Sequence, residues 1–400
     1  MRRARRWIAL VAILGTAASL AALAGLSGGN ASAGTGPIVI GWAFDSKGAM
    51  APFDGPALAA AKIRLAQINR AGGVNGTQLR IDTCDTQGNA PARAKACAAR
   101  LLGRGADIVF TTCDVDFATP VVQEAINRGI LAIAPCIGTD QMGPKRFGSK
   151  GRLAFSFGNV AQDEGSAMAE VAWRRGWRTA ALATNTLLVY FKDVVTAFEK
   201  RFTQLGGRIV ARESYATGAN NVQTAVSRLN GARADVIVTS TAFGELPALV
   251  SGLRSLGNNT PILNSWAGDG TYWNTKDPQV TNYYFVTYAS VFGDDPNPAV
   301  RKMISDLKKA KAAPGTGGFV GGAAAIDGVV TAIRRAGGST NGSTLAAQLE
   351  KFKQVQALAS KISFSRQLHT VFGRQYRIIR IEGNKARYIG VVRARVIPKI

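Results

Sequence analysis

The feature that most constrains the fold of this chain is a regular alternation of short apolar strands with helical segments. After an apolar run at residues 38–42, the first series continues as strand 79–82, helix 90–102, strand 107–111, helix 118–127 and strand 130–134. The second series consists of helices 161–175, 190–205, 221–231 and 245–256, interleaved with strands 179–183, 208–213, 235–240 and 261–264. Such alternation predicts βαβ units, in which helices cover a parallel sheet. Two series predict an α/β fold of two Rossmann-like lobes with a ligand cleft between them.

The C-terminal segment has a different pattern. Residues 376–381 and 386–392 alternate apolar and polar positions, which predicts a small antiparallel element. From Lys361 onward ten residues are Lys or Arg and only Glu382 is acidic. This surplus predicts either a weak, salt-sensitive attraction to the anionic cell envelope or, equally, a solvated basic surface.

The N-terminal 33 residues have the layout of a secretory signal peptide. A cluster of four arginines precedes an apolar run from Trp7 to about Leu26, and Ala31-Ser32-Ala33 forms a cleavage site. The alternative is an uncleaved membrane anchor, and the pattern does not separate a Sec signal from a twin-arginine signal. Because no cysteine precedes Cys84, no lipid anchor is expected. The sequence therefore predicts a protein exported to the periplasm or cell-envelope space, where it meets no nucleic acid.

The four cysteines lie close together in the sequence, at Cys84, Cys97, Cys113 and Cys136. In an exported chain this predicts two disulfides. Cys113 and Cys136 each follow an apolar strand, so a bridge between them suits neighbouring parallel strands and leaves Cys84 with Cys97. The pairing of Cys84 with Cys113 and Cys97 with Cys136 stays open.

The inventory of reactive groups argues against an enzyme. The only histidine, His369, lies among basic residues and is expected at the surface. Asp163 and Glu164 fall at a helix N-terminus, where the helix dipole accounts for them. The run at residues 315–318 lacks the Lys-Ser/Thr of a phosphate loop and is expected to be a flexible linker. We therefore expect no catalytic residue, no metal and no cofactor.

Several motifs resemble those of the type I periplasmic substrate-binding proteins of ABC transporters, specifically the leucine/isoleucine/valine-binding group. The most specific is INRAGGVNG at residues 68–76, which ends a helix. Further matches are the strand and loop at 38–55, GILAIAP at 129–135 and YATGAN at 215–220. The matches follow the family's order over nearly the whole chain after residue 33.

The resemblance implies a fold and a function. It implies an N-terminal lobe of residues 37–157 and 287–355 and a C-terminal lobe of 158–286 and 356–400, joined by three crossovers. It also implies a monomeric protein that binds a small polar or amphipathic molecule, such as an amino acid or a related amide or amine. Hinge closure would trap this ligand for delivery to an ABC transporter permease. The alternative is an exported sensor or receptor domain of the same fold.

The resemblance also assigns candidate ligand-binding residues. Thr139 and the aromatic residues match positions at the edge of the family's cleft: Phe53, Tyr190, Phe243 and Phe319. Asp269 matches an acidic position that holds an ammonium group, with Trp266 as a stacking wall.

One loop departs from the family pattern. Where amino-acid binders carry small hydroxyl residues beside a helix N-terminus, this chain has Asp114 and Asp116. Two carboxylates there would repel a ligand carboxylate, which favours a neutral or cationic ligand. Alternatively, Asp114 caps the helix and faces away from the cleft.

Overall fold

The predicted α/β architecture is confirmed in a computed structural model, which describes residues 36–216 and 219–400. The predicted signal peptide, residues 1–33, lies outside the described residues, as does part of the motif at 215–220. The strands are, in chain order, β1 Ile38–Phe44, β2 Leu79–Asp85, β3 Ile108–Phe110, β4 Leu131–Ala134, β5 Ala154–Asn159, β6 Thr179–Asn185, β7 Arg208–Tyr215, β8 Val236–Ser240, β9 Ile262–Asn264, β10 Tyr283–Thr287, β11 Val355–Ala357, β12 Ser360–Ile362, β13 Thr370–Val371, β14 Tyr376–Glu382 and β15 Lys385–Val392. The helices are α1 Ala51–Arg70, α2 Pro91–Gly103, α3 Val115–Asn127, α4 Pro144–Phe147, α5 Ala161–Arg174, α6 Val189–Gln204, α7 Ala219–Asn230, α8 Glu245–Ser255, α9 Pro298–Lys309, α10 Phe319–Arg335 and α11 Gly342–Leu349.

Two helix-flanked sheets organise the chain. The first has the order β13-β5-β4-β3-β1-β2, and all its strands are parallel. The second has the order β15-β14-β10-β9-β8-β6-β7 and is parallel except at β14 and β15. The predicted antiparallel element at the C-terminus is thus the edge of the second sheet. We call the elements packed on the first sheet (α1–α4 and α9–α11) with that sheet the first half, and the second sheet with α5–α8 the second half.

The chain passes between the sheets three times. It leaves the first sheet after β5, leaves the second after β10, and crosses again between β13 and β14. This last crossing comes later than the boundary expected near residue 355. The reason is that the β11–β12 hairpin follows α11, and β13 then pairs with β5 at the edge of the first sheet.

Helix α1 shows how the sequence builds this fold. Its buried residues recur at helical spacing, so one face packs under the first sheet while the other carries polar side chains. The turn that follows the helix contains Gly72 and Gly73, whose φ angles of 97° and 75° are ones that L side chains rarely adopt. At Gly73 a Cβ would also overlap the carbonyl oxygen of Thr77. The glycine pair in the family-like motif is therefore required by the turn itself.

The four cysteines form the bridges Cys84–Cys97 and Cys113–Cys136, with Cα–Cα distances of 5.5 and 4.8 Å. The prediction of two disulfides is confirmed, with the pairing that neighbouring strand ends favoured. The second bridge joins the loop after β3 to the loop after β4.

The expectation that His369 lies at the surface is wrong. Its side chain is buried at the edge of the first sheet, where its ring stacks on Phe155 with centroids 4.0 Å apart. Nδ1 lies 3.0 Å from the carbonyl oxygen of Ala154. Burial lowers the pKa of the imidazole, so the neutral ring serves as a packing element. Basic neighbours in the sequence misled the prediction, because strand β13 turns this residue inward.

Candidate functional site

Most of the predicted site residues follow the carboxyl ends of parallel strands. Asp114 comes after β3, Thr139 after β4, Tyr190 after β6, Phe243 after β8 and Trp266 after β9. In doubly wound sheets this edge is where ligands bind. The two sheets bring these loops to one place, where residues from both halves meet.

A small pocket lies at this meeting point. Its volume is about 20 Å³, which is room for roughly one water molecule. The first half contributes Met50, Phe53, Cys113 and Asp114, and the second half contributes Leu188, Tyr190, Phe191, Ala242, Phe243, Trp266 and Ala267. The implied cleft is therefore closed in this structure and filled by the protein's own side chains, so a larger ligand requires the halves to part.

Aromatic rings fill most of the pocket. Trp266 meets Phe53 edge to face with centroids 5.0 Å apart, and it meets Tyr190 at 6.4 Å. Its other neighbour is Tyr288, whose ring is stacked on it at 5.2 Å. Phe243 lies 6.0 Å from Phe191 and has a φ of 56°, which is rare for a bulky residue. The predicted aromatic residues Phe53, Tyr190, Phe243 and Trp266 are thus brought together.

Asp114 both caps a helix and lines the pocket. Its Oδ1 accepts hydrogen bonds from the backbone N–H groups of Asp116 (2.8 Å) and Phe117 (3.4 Å), which fixes the start of α3 at Val115. Burial, together with the charge of the neighbouring Asp116, raises the pKa of Asp114 to about 7. The two readings of this residue are therefore not exclusive, and its carboxyl group occupies the N–H groups that a ligand carboxylate would need.

Asp116 and Thr139 do not line the pocket but connect the halves beside it. Asp116 pairs with Arg146 at 2.5 Å and accepts the backbone N–H of Val189 at 3.2 Å. The hydroxyl of Thr139 donates to Oδ2 of Asp193 at 3.3 Å. Both contacts join the first half to helix α6 of the second, so they hold the cleft shut.

Asp269 and Phe319 lie behind the pocket walls. The buried Asp269 carboxyl accepts from the Thr287 hydroxyl (2.7 Å) and from the backbone N–H of Gly317 (2.6 Å). Burial raises its pKa to about 7. Phe319 is fully buried at the start of α10. The structure does not bring either side chain among the lining residues, and Asp269 instead ties the second half to the turn before α10. That turn, residues 315–318, was expected to be a flexible linker.

Glu164 contacts the walls of the candidate site but was not among the predicted site residues. Its Oε1 accepts the backbone N–H of Trp266 at 2.5 Å, and its Oε2 accepts the Tyr190 hydroxyl at 2.8 Å. Burial raises its pKa to about 8. The helix dipole does not account for these contacts, because the carboxyl group is fully buried and holds two pocket walls in position. The signal available in the sequence was the acidic pair Asp163 and Glu164, which comes shortly after β5, the strand from which the chain leaves the first sheet.

A second buried polar cluster lies beyond Glu164, where the chain crosses between the sheets. Asn159 donates to Oδ2 of Asp163 at 2.5 Å and also to the Tyr376 hydroxyl. Arg374 donates to the Phe157 carbonyl at 2.7 Å, and its guanidinium lies 4.5 Å from the Tyr288 ring centroid. Burial lowers the pKa of Arg374, while the hydrogen-bonded Asp163 lies close enough to offset part of its charge. This cluster braces the junction and does not reach the pocket.

Two glycines allow the rings to sit where they do. A Cβ at Gly138 would lie 2.6 Å from Cε2 of Tyr190, and one at Gly318 would lie 2.6 Å from Cζ2 of Trp266. Both distances are too short for real carbon atoms. The backbone of the first half therefore forms part of the wall around both rings.

Other features of the described residues do not compete with this pocket. A surface groove of about 900 Å³ lies along α1, α9 and α10. It is lined by the first half alone, and its carboxylates Asp306 and Asp327 already pair with Lys302 and Arg64. Over residues 36–216 and 219–400 no cluster of metal-binding side chains is found. Within the same ranges no helix is both long and apolar enough to cross a bilayer.

Comparison with known proteins agrees with this geometry. The family described as periplasmic binding protein matches residues 37–386. A relative from Brucella melitensis, Leu/Ile/Val-binding protein homolog 3, is 23% identical over 338 residues, covering 84% of this chain and 89% of the relative.

Solved structures show the same fold. The branched-chain amino acid substrate-binding protein LivJ of Streptococcus pneumoniae, in complex with isoleucine, is 20% identical with a TM-score of 0.77, covering 89% of this chain and 99% of LivJ. A solute-binding protein of an ABC transporter from Rhodopseudomonas palustris, in complex with 3,4-dihydroxybenzoic acid, is 16% identical with a TM-score of 0.75, covering 90% and 99%. These findings confirm the resemblance, and because the family match spans most of its length, the chain belongs to the periplasmic binding protein family.

Proposed function

We propose that this protein is exported and captures a small polar or amphipathic solute, neutral or cationic, between Phe53 and Trp266, for delivery to an ABC importer. Family membership confirms the prediction of a solute-binding protein rather than an enzyme. LivJ is a substrate-binding protein of a branched-chain amino acid transporter and the Rhodopseudomonas palustris protein is a solute-binding protein of an ABC transporter, which favours transport over the alternative role of a sensor.

The observation that carries the proposal is that the pocket walls come from both halves. Phe53 and Asp114 belong to the first half, and Tyr190 and Trp266 to the second. Any solute held between them contacts both halves and favours the closed arrangement. Closure is then reinforced by the contacts of Asp116 with Val189 and of Thr139 with Asp193.

The charge of the walls supports a neutral or cationic solute. No lining residue is a lysine, arginine or histidine, and the charged one is Asp114. The N–H groups at the start of α3 already bind the Asp114 carboxyl group. A carboxylate solute would find no counter-ion and would meet a like charge.

The remaining expectations form part of the proposal. Residues 1–33 act as a cleaved signal, the protein carries no lipid anchor, and it works as a monomer without nucleic acid. We propose the predicted lobes of 37–157 with 287–355 and 158–286 with 356–400, amended so that the last boundary falls between β13 and β14, because β13 pairs with β5. The basic C-terminal segment adds at most a weak attraction to the anionic envelope.

A thermal-shift screen tests the proposal. Amino acids, amides, amines and aromatic acids are added separately to the purified protein, and a solute that binds the native state raises the Tm. We expect a shift with a neutral or cationic solute, lost in Trp266→Ala and kept in Leu256→Ala, an exposed position that does not line the pocket. A shift confined to aromatic acids, or one that Trp266→Ala leaves intact, would contradict the proposal.

A further inference from the structure

The pocket surrounds a single point with aromatic rings. Phe53 lies on α1, Tyr190 and Phe191 on α6, Phe243 after β8 and Trp266 after β9. Four elements from two halves therefore direct rings at one space. The faces of aromatic rings carry partial negative charge and attract cations within about 6 Å of the centroid.

The charge around these rings has one sign. Lys and Arg outnumber Asp and Glu by 49 to 25 in the chain, yet none lines the pocket. The buried Asp114 carboxyl uses Oδ1 for both of its hydrogen bonds, and Oδ2 makes none within the described part of the chain. One carboxylate oxygen is thus left to face a bound cation.

The supply of hydrogen-bond acceptors restricts the kind of cation. A primary ammonium group has three N–H donors, each of which needs an acceptor once water is excluded. Among the lining side chains, the Tyr190 hydroxyl donates its proton to Glu164 and can offer only a neutral oxygen as an acceptor, so Asp114 Oδ2 is the one charged acceptor and three N–H donors would not all be satisfied by these side chains. An alkylated ammonium group has no such requirement, because methyl groups pack against rings without hydrogen bonds.

The space for such a group depends on how far the two halves are parted. Phe53 and Trp266 are too close for a cation at 5.0 Å, but they belong to opposite halves. Parting the halves separates the two rings without any change of side-chain rotamer. Closure onto a cation then places rings from both halves around it, which is the arrangement that a ligand-driven hinge requires.

From these observations we propose that the solute is a quaternary ammonium compound, held by the rings of Phe53, Tyr190, Phe243 and Trp266 and by the carboxylate of Asp114. This inference rests on the proposed function, because it names the solute class for the same pocket. It assigns the cation to Asp114, which lines the pocket, and not to Asp269, which does not line it and whose Oδ2 accepts from Thr287 and Gly317.

Titration calorimetry with matched small molecules tests the inference. Choline is compared with 3,3-dimethylbutan-1-ol, in which carbon replaces the charged nitrogen, and with ethanolamine, which has a primary ammonium group. We expect choline to bind about tenfold or more tightly than either, a ratio typical of a desolvated cation–π site. Equal affinity for choline and the neutral alcohol would overturn the inference, as would tighter binding of ethanolamine.

Two variants separate charge from shape. Asn is as good a helix cap as Asp, so Asp114→Asn keeps the start of α3 and removes only the charge. This variant should bind choline about tenfold more weakly and bind the neutral alcohol with unchanged affinity. Trp266→Leu should lower the affinity for choline more than the affinity for the alcohol. An equal loss for both ligands in either variant would contradict the inference.

A parallel titration with L-leucine, leucinamide and benzoate distinguishes the two proposals. If leucinamide binds while choline does not, the quaternary ammonium inference fails and the proposed function stands. If leucine or benzoate, each of which carries a carboxylate, binds while choline does not, the inference fails together with the proposal that the charge of the walls disfavours a carboxylate solute. If no solute of any class binds, both fail.

Discussion

The backbone N–H of Trp266 donates a 2.5 Å hydrogen bond to Oε1 of Glu164, and the other oxygen of the same carboxyl accepts the Tyr190 hydroxyl. One buried acid therefore fixes two neighbouring walls of the pocket. Glu164 lies in the first turn of α5, directly after the chain leaves the first sheet. The position of the aromatic walls is thus tied to the point where the two halves are joined.

Removing this carboxyl group should loosen both walls. In Glu164→Leu the Trp266 N–H is buried without a partner, at a cost of about 1–3 kcal/mol in unfolding free energy. Glu164→Gln is the matched control, because its amide retains an oxygen for Trp266 and a polar group for Tyr190. Urea unfolding should show the loss in the leucine variant and a much smaller one in the glutamine variant. Equal stability of the two would contradict the role given to this residue.

The buried acids predict that the protein is less stable at alkaline pH. Burial raises the pKa of Asp54, Asp114 and Asp269 to about 7 and that of Glu164 to about 8. A raised pKa means that the folded state holds its proton where the unfolded chain has lost it, so stability falls as the pH rises through the folded value. Between pH 6.5 and pH 8 we expect a loss on the order of 3 kcal/mol.

Unfolding measured at pH 6.5, 7.25 and 8 checks this prediction. His369 acts in the opposite direction, because its lowered pKa costs stability only as the pH falls below its ordinary value. The chosen window therefore isolates the acids. Glu164→Gln should flatten the upper part of the profile, and a stability that rises from pH 6.5 to pH 8 would refute the account of these groups.

Gly138 should not tolerate a side chain. A Cβ there would lie 2.6 Å from Cε2 of Tyr190, whose ring is buried beside Phe191 and Trp266 and whose hydroxyl is bonded to Glu164. Gly138→Ala should displace the ring, break its bond to Glu164 and weaken solute binding at least tenfold, since overpacking costs about 1–3 kcal/mol. Gly103→Ala is the control, because nothing lies within 4 Å of its added carbon. Calorimetric titration of both variants makes the comparison, and unchanged affinity in Gly138→Ala would count against the site.

The two disulfides should differ in their effect on binding. Cys113–Cys136 joins the loop that carries Asp114 to the loop that carries Thr139, and Cys84–Cys97 joins β2 to α2 away from the pocket. Replacing either pair by serine should lower stability by about 3 kcal/mol through loop entropy. Only the loss of Cys113–Cys136 should also weaken binding of the solute. The same loss of affinity in both double variants would show that this bridge does not shape the site.

Sequence patterns predicted the fold well because periodicity reports burial directly. The alternation of strands and helices gave both halves, and the period-two residues gave β14 and β15. Local sequence patterns were less reliable where a contact between residues far apart in the sequence determines whether a side chain is buried. His369 looks exposed among its basic neighbours, but it directly precedes β13, which pairs with β5, and this pairing is not visible in the local sequence.

The site was predicted in part. The resemblance to the family assigned Phe53, Tyr190, Phe243 and Trp266, and the structure brings these side chains together at the edge of parallel sheets where ligands bind. Glu164 was missed because an acid at a helix N-terminus already has a local explanation. The place of Asp269 was also beyond sequence reasoning, because its partner Gly317 comes 48 residues later in the chain.

The central claim is that a solute is held between the two halves by the rings of Phe53 and Trp266. The most direct test is a crystal structure of the protein grown with a saturating concentration of a solute that raises its Tm. We predict electron density for one solute between these two rings, with their centroids farther apart than the 5.0 Å seen here. A bound solute elsewhere on the molecule, with Phe53 and Trp266 still packed edge to face, would contradict the account.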